Sequence, residues 1–453
     1  MPSRTINLAE VIDRARLGGF QARIILLCAL IAMLDGFDTQ AVAFVAPILA
    51  AAMQVPVSSF GPVFGIGLLG LAVGALCCGP LADRWGRRTL IIASTAVFGL
   101  FSAATAYAQG VPDLMACRFL TGIGLGGAMP NIITLTSEYA PRRSRAMLVT
   151  VMFCGFPLGA VIGGLASTRI IGAFGWQGVF LMGGILPLAL VPVLLAALPE
   201  SSVFLAGRPG QAKRIAAILR RIDPGHANDD GADYALAEPA HRGLSVGPLF
   251  RDGRGRVTLL LWLAFFMNLL TLFFLINWLP SVLQRAGVPL ERAIIATVLL
   301  NLGGIVGGIL LGRLMDALGP YRVLTASYLG GALCVLGLGL AGASVATAFA
   351  MVFLAGFCIM GSQFGANALA VSLYPGSMRA TGIGWALGIG RVGSIIGPVL
   401  GGVMFALGWS LPVLFSLSAL PGLLSAAAVA GLGLLSRRGL VRSGPIALEE
   451  LVH

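Results

Sequence analysis

Residues 61–100 read GPVFGIGLLGLAVGALCCGPLADRWGRRTLIIASTAVFGL. Two apolar runs, 61–82 and 90–109, flank one charged turn, Gly79-Pro-Leu-Ala-Asp83-Arg84-Trp-Gly86-Arg87-Arg88. Each run is long enough to cross a bilayer as a helix, which takes about 20 mostly apolar residues. In hydrocarbon each backbone amide must bond within its own segment, so each run is helical. A closed barrel would instead show alternating strands of about ten residues. The same reading extends over the chain and gives twelve spans: 24–50, 61–82, 90–109, 113–138, 147–168, 177–198, 257–280, 293–314, 323–342, 347–374, 382–407 and 411–435.

Composition agrees. Of 453 residues, 57% are hydrophobic and 11% are charged, against about 25% charged in a soluble domain. A soluble enzyme of this length could not cover its surface with so few charges, and the chain is too apolar for disorder. The net charge of +12 does not point to nucleic acid, because the basic residues sit in short loops. With the N-terminus placed in the cytoplasm, 25 of the 30 Arg and Lys fall on the cytoplasmic side. Only Arg169, Arg285 and Arg292 fall outside, and Arg118 and Arg391 lie within spans. The positive-inside rule therefore places both termini in the cytoplasm. No signal-peptide core with a cleavage site follows the first twenty residues, so the first apolar run is expected to stay as a helix. The seven cysteines all lie in apolar stretches without a C-x-x-C and read as small hydrophobes.

The expected all-α architecture is a cytoplasmic N-terminus (1–23), a six-helix bundle (24–198), a cytoplasmic linker (199–256) with a short surface helix near 210–221, a second six-helix bundle (257–435) and a cytoplasmic tail (436–453). The bundles repeat. Gly79, Asp83 and Gly86 recur as Gly312, Asp316 and Gly319, all at an offset of 233. Arg145-Ala146 recurs as Arg379-Ala380, and Gly159, Gly163 and Gly164 as Gly397, Gly401 and Gly402. Duplicated six-helix halves are a transporter signature, with the substrate site expected near the midplane between them. G-x-G-x-x-G occurs at Gly65, Gly122 and Gly388. A dinucleotide fingerprint needs a preceding strand, so these read as close helix packing.

The repeated turn is a candidate cytoplasmic gate, formed by Gly79, Asp83, Arg84, Gly86, Arg87 and Arg88 with Asp316 and Arg379. The plain alternative is a positive-inside turn. Charges inside spans carry the most information: Asp35 and Asp38 in span 1, Arg118 and Glu138 in span 4, Arg391 in span 11. A charge at a helix centre costs about 2.5–3.5 kcal/mol on insertion scales, so such residues need partners or a wet cavity. Asp35 and Asp38 share one helix face at i,i+3 and lie roughly 17–21 Å from the cytoplasmic end, with Arg391 at about 14 Å. A central acidic–basic cluster follows, with a static ion pair as the alternative. The three histidines lie in the linker and tail, so a proton relay must use carboxylates. Burial favours a neutral carboxyl and a nearby arginine favours a charged one. An aspartate that loses and regains its arginine would switch its hold on H⁺, which makes Asp35 and Asp38 the leading coupling residues. Glu138 is either an exit group or a tether for the loop bearing Arg142, Arg143 and Arg145. Phe37, Asn277, Trp278, Gln363, Phe364 and Asn367, with Asn268 and Trp385, can line a pocket; packing is the alternative for each.

These residues carry a resemblance. The Gly-x-x-x-Asp-Arg-x-Gly-Arg-Arg turn, Arg118-Phe-Leu-Thr-Gly122-Ile-Gly124 and Leu198-Pro-Glu-Ser201 resemble the major facilitator superfamily. Asp35-Gly-Phe-Asp38, Gly126-Gly-Ala-Met-Pro-Asn131, Ser137-Glu-Tyr139, Asn277-Trp-Leu-Pro280 and YPGSMRATGIGWALGIGRVGSIIGP at 374–398 are similar to the bacterial aromatic acid:H⁺ symporters. The resemblance implies proton-coupled uptake of a small aromatic carboxylate, such as a hydroxybenzoate, gallate or hydroxyphenylpropionate, across the bacterial inner membrane. It implies roles for the span-1 aspartates, Asp83, Arg118, Glu138, Asp316, Arg379 and Arg391, no cofactor beyond the coupling proton, and action as a monomer in the lipid bilayer. Tyr321 departs from relatives that have histidine there. On this reading Arg391, then Arg118, meets the substrate carboxylate. A proton-coupled exporter or other organic-anion carrier on the same fold is the competing expectation, distinguished by the direction of transport.

Overall fold

The computed structural model describes residues 5–15, 17–208, 210–223, 233–235, 246–251, 254–340, 345–374 and 376–437. Long apolar helices dominate it. Eleven are long and apolar enough to cross a membrane. One of these, within Met147–Ala197, is 51 residues long. At about 1.5 Å per residue it is far longer than one crossing requires. Gly175 breaks it with φ 68° and ψ −170°, which separates spans 5 and 6 and restores the twelve expected crossings. Span 5 itself is interrupted at Cys154, between Arg145–Phe153 and the helix that begins at Gly155. Large apolar side chains on the span surfaces, including Leu76, Leu195, Leu333 and Leu434, are exposed. That pattern suits hydrocarbon surroundings and not water. The chain is a multi-pass membrane protein.

The helices run slightly past the apolar runs that announce them: Gly19–Ala52 for span 1, Val111–Tyr139 for span 4, Gly255–Arg285 for span 7 and Leu290–Leu318 for span 8. Polar residues continue a helix beyond the hydrocarbon when its backbone bonds are already in register. The expected linker helix is Ala212–Ile222, with Ile215, Ala216, Leu219 and Ile222 buried on one face. That face packs with Leu8 and Val11 of a short N-terminal helix, Leu8–Arg14, and with Leu205. Among the described residues the only strands are β1, Thr5–Asn7, and β2, Asp233–Ala235, which pair in parallel. Their pairing ties the chain start to the linker, a local addition to the all-α reading.

Two compact units result. The first comprises Met1–Ala41 with Ile66–Ala240, the second Val42–Gly65 with His241–His453. The division differs from one at the linker alone, because the span 1–2 hairpin joins the second unit. Small residues explain this. A Cβ on Gly61 would press on the Gly402 Cα at 2.9 Å, and one on Gly65 on the Val399 side chain at 2.6 Å. Phe64 also packs edge-on against Trp278, with ring centroids 5.4 Å apart.

Within the first unit, Gly70, Gly74, Gly122 and Gly126 bring spans 2 and 4 into backbone contact. The Gly-rich motifs are thus packing seams. The repeat is visible in the seams too. Gly163 of span 5 seats the Phe37 ring of span 1, and Gly401 of span 11 seats the Trp278 ring of span 7. The two charged turns share a conformation. Gly86 has φ 95° and ψ 149°, and Gly319 has φ 88° and ψ 143°. Glycine alone enters this region without steric penalty.

Candidate functional site

Span 1 places Asp35 and Asp38 near the middle of its 34 residues, and both are 1% exposed. Asp38 meets Arg118 of span 4. The Arg118 Nη1 donates to Asp38 Oδ2 at 3.0 Å, and the arginine is 5% exposed. Its Nη2 donates to Thr105 Oγ1 at 3.2 Å and to Thr121 Oγ1 at 2.9 Å. Ser102 Oγ donates to the other Asp38 oxygen. The guanidinium carbon lies 5.3 Å from the Phe180 ring centroid. Spans 1, 3, 4 and 6 therefore converge on one buried ion pair. These hydrogen bonds offset much of its desolvation cost, while Arg118 Nε is buried with no hydrogen-bond partner among the described residues. Asp35, one turn earlier, accepts from Thr39 Oγ1 at 3.0 Å. Of the expected central cluster, the structure joins Asp38 to Arg118 with Asp35 beside them. Ser102, Thr105 and Thr121 were not singled out from the sequence. Their only signal is spacing, with Ser102 and Thr105 at i,i+3 and Thr121 three residues after Arg118.

Glu138 lies elsewhere. It forms an ion pair with Arg87 of the charged turn and accepts from Ser201 Oγ at 2.5 Å. It tethers neither Arg142, Arg143 nor Arg145 by any ion pair found among the described residues. Arg142 instead donates its backbone N–H to Asp13 at 2.7 Å. The Glu200 carboxylate accepts the backbone N–H groups of Arg88 at 3.0 Å and Ser201 at 2.8 Å. Tyr139 donates its hydroxyl to the Glu200 carbonyl at 2.6 Å, and Gln21 donates to the Tyr139 carbonyl at 2.8 Å. The turn at Gly86, the end of span 4 and the start of the linker are thus one network. Asp83 and Arg84 are exposed at its edge, and Gly79 is half-buried. In the second unit Asp316 is exposed. The Arg379 side chain lies outside the described residues.

The remaining candidates sort into two groups. Asn268 Nδ2 donates to Gln363 Oε1 at 2.7 Å, and Gln363 Nε2 donates to Asn367 Oδ1 at 3.1 Å. This amide chain joins spans 7 and 10. It lies just beyond a π-helical turn, Gly356–Met360, a feature frequent at functional sites. Phe364 and Arg391 are half-buried, and Arg391 stands midway along Gly376–Ala406. Trp278 belongs to the packing group. It is fully buried, donates Nε1–H to the Pro398 carbonyl at 2.8 Å and stacks on Phe405 at 4.6 Å. Asn277 donates to the Phe273 carbonyl of its own helix at 2.7 Å. Phe37 is 3% exposed against Gly163. Trp385 stacks on Trp262 at 5.9 Å.

Duplicated six-span halves with ionisable groups held at mid-span define a secondary transporter. The Major Facilitator Superfamily profile matches residues 28–385, and the chain belongs to that superfamily. It is 41% identical over 425 residues to the gallate transporter of Pseudomonas putida, covering 94% of each chain. It is 41% identical over 439 residues to the 4-hydroxybenzoate transporter PcaK of Pseudomonas aeruginosa, covering 95% of this chain and 96% of the relative. It is 40% identical over 423 residues to the 3-(3-hydroxy-phenyl)propionate transporter of Escherichia coli, covering 92% and 94%. The inward open structure of the xylose transporter XylE from E. coli matches the fold at a TM-score of 0.72 with 19% identity, over 90% of this chain and 95% of that one.

Proposed function

We propose that this protein imports an aromatic carboxylic acid, such as a hydroxybenzoate, gallate or hydroxyphenylpropionate, together with protons. The observation that carries the reading is the buried Asp38–Arg118 pair in a chain about 40% identical to aromatic acid transporters. The protein acts as a monomer in the bacterial inner membrane, with both termini in the cytoplasm.

Asp38 is paired with Arg118 at 3.0 Å. The proposed coupling step is an exchange of partners at Asp38, Arg118 for a proton, when a rearrangement parts the two. Asp35, on the same face, takes part in the transfer. Arg391, midway along span 11, is the first candidate to meet the substrate anion, and Arg118 is the second. The Asn268–Gln363–Asn367 chain supplies amides that orient ring hydroxyls. The Arg87–Glu138 pair and the Glu200 cradle latch the cytoplasmic end of the first unit; Asp316 and Arg379, the repeat counterparts of Asp83 and Arg145, are the gate candidates of the second.

The test is uptake of labelled benzoate, 4-hydroxybenzoate, gallate and 3-hydroxyphenylpropionate into proteoliposomes, with and without an imposed proton gradient. The expected result is inward accumulation of at least one acid that collapses with the gradient. Outward-directed transport, or uptake indifferent to the gradient, overturns the reading in favour of an exporter or another organic-anion carrier.

A further inference from the structure

The second unit contains a cleft of about 350 Å³, the size range of small-molecule sites. It opens at the end of span 2 opposite the Gly86 turn, where the span 1–2 hairpin meets the ends of spans 7 and 11. Pro47, Pro56, Ser281, Gln284, Arg285 and Phe405 are among its walls. None of them belongs to the charged cluster of the first unit.

Its chemistry is specific. Ser281, Gln284 and Arg285 stand at i, i+3 and i+4 and so share one face of span 7. The Arg285 guanidinium lies 5.6 Å from the Phe405 ring centroid and pairs with no carboxylate among the described residues. Phe405 is held from behind by Trp278, stacked at 21°. Ser281 is 4% exposed, and its Oγ has no hydrogen-bond partner among the described residues. A buried hydroxyl without a partner loses free energy that a ligand can return. The wall therefore offers a cation, a flat aromatic ring with apolar prolines, and an unsatisfied hydroxyl.

We propose that this cleft is a second binding site for a hydroxylated aromatic carboxylate, with the carboxylate on Arg285, the ring against Phe405 and a ring hydroxyl on Ser281. It captures substrate at the periplasmic surface before the mid-span residues act. The proposal rests on the reading of the protein as an aromatic acid importer.

Three measurements test it in proteoliposomes loaded with full-length protein. Arg285→Gln raises the KM for 4-hydroxybenzoate uptake about tenfold while leaving the maximal rate near wild type. Ser281→Ala raises the KM for 4-hydroxybenzoate and not for benzoate. A Gln284→Cys variant is protected by 4-hydroxybenzoate from a membrane-impermeant maleimide added outside. An unchanged KM in Arg285→Gln, or an unprotected cysteine at 284 in protein that transports, overturns the cleft as a binding site. Wild-type protein that takes up none of the acids overturns the underlying reading instead, so the two failures are distinct.

Discussion

Asp38 and Arg118 lie 3.0 Å apart in surroundings where either charge alone is expensive. Breaking a buried pair by removing one partner costs about 3–5 kcal/mol, whereas replacing both with apolar residues is often neutral. Arg118→Met is therefore expected to lower the melting temperature of the detergent-solubilised protein, and Asp38→Leu/Arg118→Met to recover most of it. Neither variant is expected to accumulate substrate. A purely structural pair would restore transport along with stability, so the double variant separates the two roles. Asp35→Asn and Asp38→Asn are each expected to reduce gradient-driven accumulation by about tenfold or more, measured as labelled acid retained at steady state; full accumulation in both would reject their assignment as coupling groups. The pair was legible in the sequence because ionised residues are rare in spans. Its hydroxyl partners Ser102, Thr105 and Thr121 were not, because small polar residues are ordinary in membrane helices. Trp278 shows the converse. An aromatic side chain in a span gives the same sequence signal whether it faces a ligand or, as here, Phe64 and Phe405.

At the scale of elements, the charged turn can be dissected by its glycines. Gly86 adopts a positive φ, and a Cβ there would meet the Glu200 carboxylate. Backbone with positive φ and extended ψ costs a non-glycine residue about 1–3 kcal/mol. Gly86→Ala is expected to slow uptake severalfold and lower thermal stability. Gly79 has nothing within 4 Å of its would-be Cβ, so Gly79→Ala is expected to leave both unchanged. The paired assay checks whether the second glycine alone carries the geometry. The duplicated turn was readable from spacing because Gly, Asp and Gly recur at one offset. The partner of Glu138 was not readable. Its contact with Arg87 spans 51 residues of chain, and its contact with Ser201 spans 63. Nearby arginines at 142, 143 and 145 offered a more local choice that the helix geometry does not take.

For the whole molecule, twelve crossings with basic residues gathered on one side predict a fixed topology. A fluorescent protein joined after residue 437 is expected to fold and fluoresce, while alkaline phosphatase inserted in the 287–289 turn is expected to be active; the reverse pattern would overturn the assigned sidedness. The spans were legible because membrane solvation acts locally on about 20 residues at a time. The division into units was not, since it depends on Gly61 and Gly65 admitting span 11, a matter of distant shape. Gly175 has a consequence for biogenesis. Spans 5 and 6 are joined through a single break at Gly175, with Arg169 the one charged residue between them, so the translocon has little hydrophilic segment to hold back. They must leave the insertion channel as one hairpin, and an epitope placed there should block assembly where one placed in the long central connection is tolerated.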